Sequence, residues 1–216
     1  MDTPLPAPGF QVDGKRMDPD RQGRPHGASY SGPIVDTHAH MIFHDGTTSV
    51  TIEEILKSAE SNGVERQIFL PTPNDQRMPY YNLHTELRND ILKTGRERAA
   101  LLCGSEYLTV WIAHAYQDGY SQESLDARLD KITKDIDCNQ CLGIGEIGPY
   151  HFKKKPGQEV LKFPMNFRPF LEMARVISEK GVWIDLHAEP KTASGKSYEK
   201  EVFGGIALLY SLYPDL

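Results

Sequence analysis

From Ile34 onward, short apolar runs alternate with stretches in which apolar side chains recur every three or four positions. Ile34-Val35-Asp36-Thr37 reads as a buried strand. Thr51 and Glu54 have the spacing of a capping box, and Ile52, Ile55, Leu56 and Ala59 form the stripe of the helix they begin, which Gly63 ends. Residues 64–70 read as a second strand, followed by a helix over about 83–93. Residues 100–103 begin a third strand. Leu125, Leu129, Ile132 and Ile136 then recur at helical spacing behind Ser121, a suitable N-cap. Residues 141–147 are the fourth strand, 167–178 a helix closed by Gly181, and 182–186 the fifth strand. A last helix covers about 198–213.

Strand and helix thus alternate five times, the pattern of an α/β fold with a parallel sheet covered by helices. An open doubly wound sheet and a barrel both fit. Five units across residues 34–216 fall short of a closed eight-unit barrel, which typically takes ~250 residues. Tyr213-Pro214-Asp215-Leu216 reads as the turn into a sixth strand. On the barrel reading the chain is therefore expected to be incomplete.

Residues 1–33 differ in character. Pro4, Pro6, Pro8, Pro19, Pro25 and Pro33 interrupt apolar residues that show no period, so this segment reads as a flexible or loosely docked arm. It lacks the basic start and apolar run of a signal peptide, which points to the cytoplasm, although an exported chain already cleaved would look the same. Residues 34–216 form the second region. With 39% hydrophobic and 25% charged residues the chain is globular, and no stretch approaches the ~18 apolar residues of a membrane span. The net charge of −6 argues against nucleic acid as a partner, because phosphate binding draws on Lys and Arg. Three cysteines are too few for a disulfide scaffold.

The chemistry begins at Asp36-Thr37-His38-Ala39-His40, where the first strand ends. Residues i and i+2 of a strand share a face, roughly 6.6 Å apart. His38 and His40 can therefore aim two imidazoles at one point, as a zinc-type ion requires. Taken alone, they could also be two loop histidines that happen to be close. Glu146 changes that balance. It lies in Gly143-Ile144-Gly145-Glu146-Ile147-Gly148, and a carboxylate in so apolar a strand needs a partner, for which a cation is the obvious candidate. His187 ends the fifth strand, where it shares a face with Trp183 and Asp185. Three strands thus bring His38, His40, Glu146 and His187 to the carboxyl edge of the sheet, where parallel α/β folds bind their ligands.

These motifs, in this order on these strands, resemble the amidohydrolase superfamily of metal-dependent hydrolases. The resemblance runs from Ile34 to the last residue. It implies a distorted (β/α)8 barrel, with His38 and His40 on a first metal ion, Glu146 ligating or bridging, and His187 on a second ion or the substrate. Two branches compete: the amidohydrolase-related hydrolases, lactonases and decarboxylases of small carbon compounds, and the TatD-like deoxyribonucleases, which also carry Gly-Glu-Ile-Gly. Pro149-Tyr150 after Gly148 and Ala188-Glu189-Pro190 after His187 depart from the nuclease pattern, and so does the acidic charge. The family also supplies a histidine on the sixth strand and a proton-accepting aspartate on the eighth. Both positions would lie beyond Leu216, so the catalytic base is not among these residues. The implied activity is metal-assisted hydrolysis of a small-molecule ester, lactone, amide or related bond, using one or two divalent ions, zinc first and manganese next. A decarboxylase, or a non-catalytic metal-binding protein on an incomplete barrel, is the alternative.

Further candidates follow the strands. His114 and His151 are the choices for substrate contact, ahead of His44 and His84, and all four are expected in strand ends or the loops after them. Asp185 could orient a ligand or pair inside the barrel. Lys153-Lys154-Lys155 reads as a solvated loop that would also suit an anionic substrate. Cys138-Asn139-Gln140-Cys141 lacks the second pair or thioredoxin-like context of a metal or redox site, and both cysteines are expected to pack in the core.

Overall fold

The structure, a computed structural model, describes residues 10–12, 15–17, 32–40, 51–73, 81–94, 97–138, 141–152 and 160–216. Backbone contacts divide the chain into two units, Met1–Pro33 and Ile34–Leu216. In the first, strands β1 (Phe10–Val12) and β2 (Lys15–Met17) pair antiparallel, with Phe10 opposite Met17.

The second unit runs β3 (Ile34–Ala39), α1 (Ile52–Ser61), β4 (Val64–Phe69), α2 (Tyr81–Thr94), β5 (Ala99–Gly104), α3 (Ser105–Asp118), α4 (Gln122–Asp137), β6 (Gly143–His151), β7 (Leu161–Lys162), α5 (Arg168–Glu179), β8 (Trp183–Ala188) and α6 (Glu199–Leu212). Five strands pair in parallel in the order β3-β4-β5-β6-β8, so position in the sheet follows position in the chain. That order belongs to the wall of a barrel, and the unit is a half-barrel of about five parallel βα units. β7 is a two-residue addition, antiparallel to the far end of β6.

Local chemistry explains most of these elements. Thr51 accepts the Glu54 backbone N–H through its hydroxyl, and the Glu54 carboxylate takes the Thr51 N–H at 2.8 Å, closing the capping box of α1. Ser121 caps α4 by accepting from the Ser124 N–H. The wide core includes Phe69, Ile144, Phe163, Phe170 and Ile177, all fully buried. No helix among the described residues is long and apolar enough to cross a membrane.

Three expectations need correction. Helix α3 occupies residues expected to form the loop after the third strand, so His114 is helical. Its buried set (Ser105, Leu108, Thr109, Val110, Ile112, Ala113, Ala115) covers much of its circumference, which erases the polar face that periodicity detects. Gly104, at φ +98°, turns β5 straight into this helix, and a Cβ there would come within 2.9 Å of both Leu108 and Ile144. His84 falls on α2, inside the helix expected over about 83–93 and not in a loop after a strand. The cysteines are the third case: Cys141 is buried and joined by a disulfide to Cys103 on the neighbouring strand, whereas Cys138 is exposed. His44, Lys153, Lys154 and Lys155 lie outside the described residues, as does the side chain of His84.

The glycines of β6 let β8 approach closely. A Cβ on Gly145 would stand 2.5 Å from Asp185 Cβ, with the Asp185 backbone at 3.1 Å. Gly145→Ala must therefore push β8 outward, an overpacking cost of about 1–3 kcal/mol. Denaturant unfolding checks this, and a variant as stable as wild type would mean the two strands separate freely.

Candidate metal centre

β3 delivers His38 and His40 where it leaves the sheet. The Asp36 carboxylate pins this strand end: it accepts the His38 backbone N–H at 3.2 Å and the Gln67 side-chain amide at 3.3 Å. The two rings meet edge to face, with centroids 4.9 Å apart and Nε2 atoms 3.2 Å apart. Their outer nitrogens are both engaged by acceptors. His40 Nδ1 donates to the Leu70 carbonyl at 2.9 Å, and His38 Nδ1 faces Asp185 Oδ2 at 3.3 Å. A carbonyl and a carboxylate can only accept, so each Nδ1 carries the proton when its ring is neutral. Both Nε2 atoms then carry lone pairs, 3.2 Å apart.

Two lone pairs at that separation repel unless a proton or a cation lies between them. Glu146 adds negative charge at the same place, its Oε2 3.4 Å from His40 Nε2. The ligand atoms of His38, His40 and Glu146 all lie within 4.8 Å of one another, and these three residues could hold a divalent ion. The donor set fits: two neutral imidazoles oriented by hydrogen bonds from behind and one carboxylate.

β6 and β8 supply the rest. Glu146 is only 4% exposed. Its Oε1 is in direct contact with His187 Nδ1, while His187 Nε2 faces Glu189 Oε1 at 3.2 Å. Glu189 also accepts the Phe152 backbone N–H at 3.0 Å, which fixes its position. Burial alone would raise the Glu146 carboxyl, but hydrogen bonds and charge from His187 and His40 hold it well below the usual carboxylate range. His187 stands above its ordinary value because of Glu146, with Glu189 helping and burial opposing. Burial also opposes protonation of His40, yet Glu146 and the Leu70 carbonyl outweigh it and leave that pKa raised.

Of the residues singled out from sequence, the structure brings His38, His40 and Glu146 into one cluster. His187 adjoins it through Glu146 but lies outside the three-residue set. Asp185 is turned onto His38, and its other oxygen, Oδ1, is buried without a hydrogen-bond partner among the described residues. His151 ends β6 with its ring 4.8 Å from that of His187. His114 is half-buried on α3, outside the cluster. Glu189 and the Leu70 carbonyl went unrecognised in the sequence. Glu189 was findable, since it follows His187 by two positions on an extended chain; Leu70 acts through its backbone and leaves no residue-type signal.

Fold and site together define a parallel α/β half-barrel with a candidate metal cluster at the carboxyl edge of its strands. Comparison with solved structures gives the same architecture. A Staphylococcus aureus protein provisionally classed as an amidohydrolase superposes with a TM-score of 0.52 at 12% identity, over 86% of this chain and 65% of that one. 5-Carboxyvanillate decarboxylase from Sphingomonas paucimobilis reaches 0.48, also at 12% identity, over 85% of this chain and 65% of its own. The chain thus shares the fold of the Staphylococcus aureus protein, and it spans 65% of the length of each of the two neighbours. No family model and no curated protein matches the sequence.

Proposed function

We propose that this protein is a metal-dependent hydrolase acting on an ester, lactone, amide or related bond of a small molecule. The observation that carries this reading is the convergence of one ring nitrogen from each of His38 and His40 and a Glu146 oxygen within 4.8 Å, at the edge where such folds bind ligands. A divalent ion held there, zinc first and manganese next, would lower the pKa of water toward ~7 and polarise the oxygen of the scissile bond. The chain's own residues have separable tasks. Asp185 and the Leu70 carbonyl orient the two imidazoles. Glu146 balances the charge and shields the ion from bulk water. His187, held between Glu146 and Glu189, would serve a second ion or the substrate, and His151 and His114 are proposed substrate contacts. The test is turnover of a panel of esters, lactones and amides, after loading with zinc or manganese, by a form of the protein that carries the family's proton-accepting aspartate, since the catalytic base is not expected among these residues. Hydrolysis that a chelator abolishes and the ion restores is expected. Release of carbon dioxide from carboxylated substrates, without hydrolysis, would replace this reading by a decarboxylase.

The electrostatics predict opposite pH responses for the two forms. In the metal-free protein, Glu146 has a depressed pKa, so its stabilising contribution is present above the ordinary 4.5 and is lost as pH falls through the folded value. His40 and His187 have raised values, so theirs is complete below 6.5 and fades as pH rises through the folded values. The cluster therefore stabilises the metal-free form most between about pH 4.5 and 6.5. Ion uptake requires neutral His40, so zinc affinity rises with pH above that window and uptake releases protons. Calorimetric titration in buffers of different ionisation enthalpy measures the release. Uptake without proton release near pH 6.5 would remove His40 from the ligand set.

A further inference from the structure

We infer that Thr109, on helix α3, is the positioning residue that holds Glu146 facing His40 and His187, an inference that rests on the proposed metal site. β5 ends at Gly104, paired with Gly145, so from Glu146 onward this edge of β6 has no β5 residue beside it. The chain has turned into α3, and its second turn passes that edge. The Thr109 hydroxyl donates to the Glu146 carbonyl at 3.1 Å and accepts the Gly148 N–H at 3.3 Å. A carbonyl at i and an N–H at i+2 are the pair of groups that one residue of a neighbouring strand engages in a parallel ladder. One hydroxyl therefore extends the ladder by a step after the strand has ended.

The other edge of β6 makes this support important. Pairing with β8 loses its regular register between Ile144 and Ile147, on either side of Glu146. Thr109 is fully buried, with both hydrogen-bonding roles used on this peptide segment. The approach is also close: a Cβ on Gly148 would stand 3.3 Å from Thr109 Cγ2 and 3.2 Å from His151 Cβ. The Glu146 carboxylate must reach His187 with one oxygen and His40 with the other, so a shifted Cα would lose at least one of them. The backbone clamp is what sets that Cα.

The test compares Thr109→Val, which keeps the shape and removes both hydrogen bonds, with Thr109→Ser, which keeps the hydroxyl. Ile112→Val on the same helix controls for loss of core packing. Zinc affinity is read by chelator competition, and Gly148 amide exchange is read in the metal-free proteins. Thr109→Val should weaken zinc binding by about 10–100-fold, the range for residues that orient metal ligands. It should also speed Gly148 exchange, while Thr109→Ser stays near wild type in both and Ile112→Val changes neither. Wild-type zinc affinity in a folded Thr109→Val overturns the proposal, and so do equal losses in Val, Ser and the Ile112 control. If Thr109→Val does not fold, the hydroxyl is judged on Thr109→Ser and Thr109→Ala: affinity kept by Ser and lost by Ala supports it, and any other pairing overturns it. If wild type takes up no zinc, the metal reading fails by itself. Gly148 exchange then decides the clamp, upheld by acceleration in Val with recovery in Ser and overturned by no change.

Discussion

Replacing His38 and His40 together by alanine is expected to abolish divalent-ion uptake by the purified protein and to leave its fold intact. Both Nε2 atoms face a common point, with the opposite ring nitrogens held by Asp185 and the Leu70 carbonyl. Without the imidazoles, Glu146 alone of the three-residue set remains, and one carboxylate does not retain zinc through dialysis. Substitutions that merely disturb a ligand's hydrogen-bond partner already cost about 10–100-fold in metal affinity, so each single ligand substitution should exceed that range. The cost in stability is small by comparison. Both rings lie at the partly exposed end of β3, away from the buried core, and the loss should stay within about 1.5 kcal/mol, the scale of a net hydrogen bond. Elemental analysis of zinc-equilibrated, dialysed protein reads the first effect and thermal melting of the chelated protein the second. Unchanged metal content in the double variant would dismantle the site.

Glu146→Gln is expected to act twice. It should weaken zinc binding by more than ~100-fold, since it removes the one negative charge among the three ligands. It should also destabilise the metal-free protein, because the carboxylate is nearly buried and faces His187 and His40 with separate oxygens. Glutamine retains the shape but cannot accept from two protonated rings. Leaving them without their acceptor costs about 1–3 kcal/mol near pH 6. That cost should shrink as pH rises through the raised values of His40 and His187, where both rings become neutral and the charge pairing is lost from wild type too. Urea unfolding of the metal-free proteins across a pH series upward from about 6 measures the difference. A cost that does not change with pH would mean that Glu146 supports the fold through its shape, independently of the histidines.

The alternation of strand and helix was legible because each half-buried element displays its period: Ile52, Ile55 and Leu56 on α1, or Leu125, Ile132 and Ile136 on α4. Capping residues marked helix starts for the same local reason. The three residues of the candidate cluster also stood out in the sequence. Two histidines two positions apart at a strand end, and a carboxylate among glycines and isoleucines, are anomalous wherever the strand lies. What failed to show was α3, since a helix buried around most of its surface carries no polar face. The pairing of Cys103 with Cys141 was equally hidden, since it depends on β5 lying beside β6 and not on the spacing between the two cysteines.

Sequence alone therefore determined the class of fold and the candidate ligands, because periodicity, capping and misplaced polarity are local properties of the chain. Tertiary structure decided how those ligands are held. It set Asp185 behind His38, the Leu70 carbonyl behind His40, Glu189 behind His187 and the Thr109 hydroxyl beneath Glu146. Each of these partners comes from a different element, or from beyond the strand's end, and two of the contacts use backbone atoms. Such contacts follow from how strands stack and where they stop, which no local pattern of residue types records.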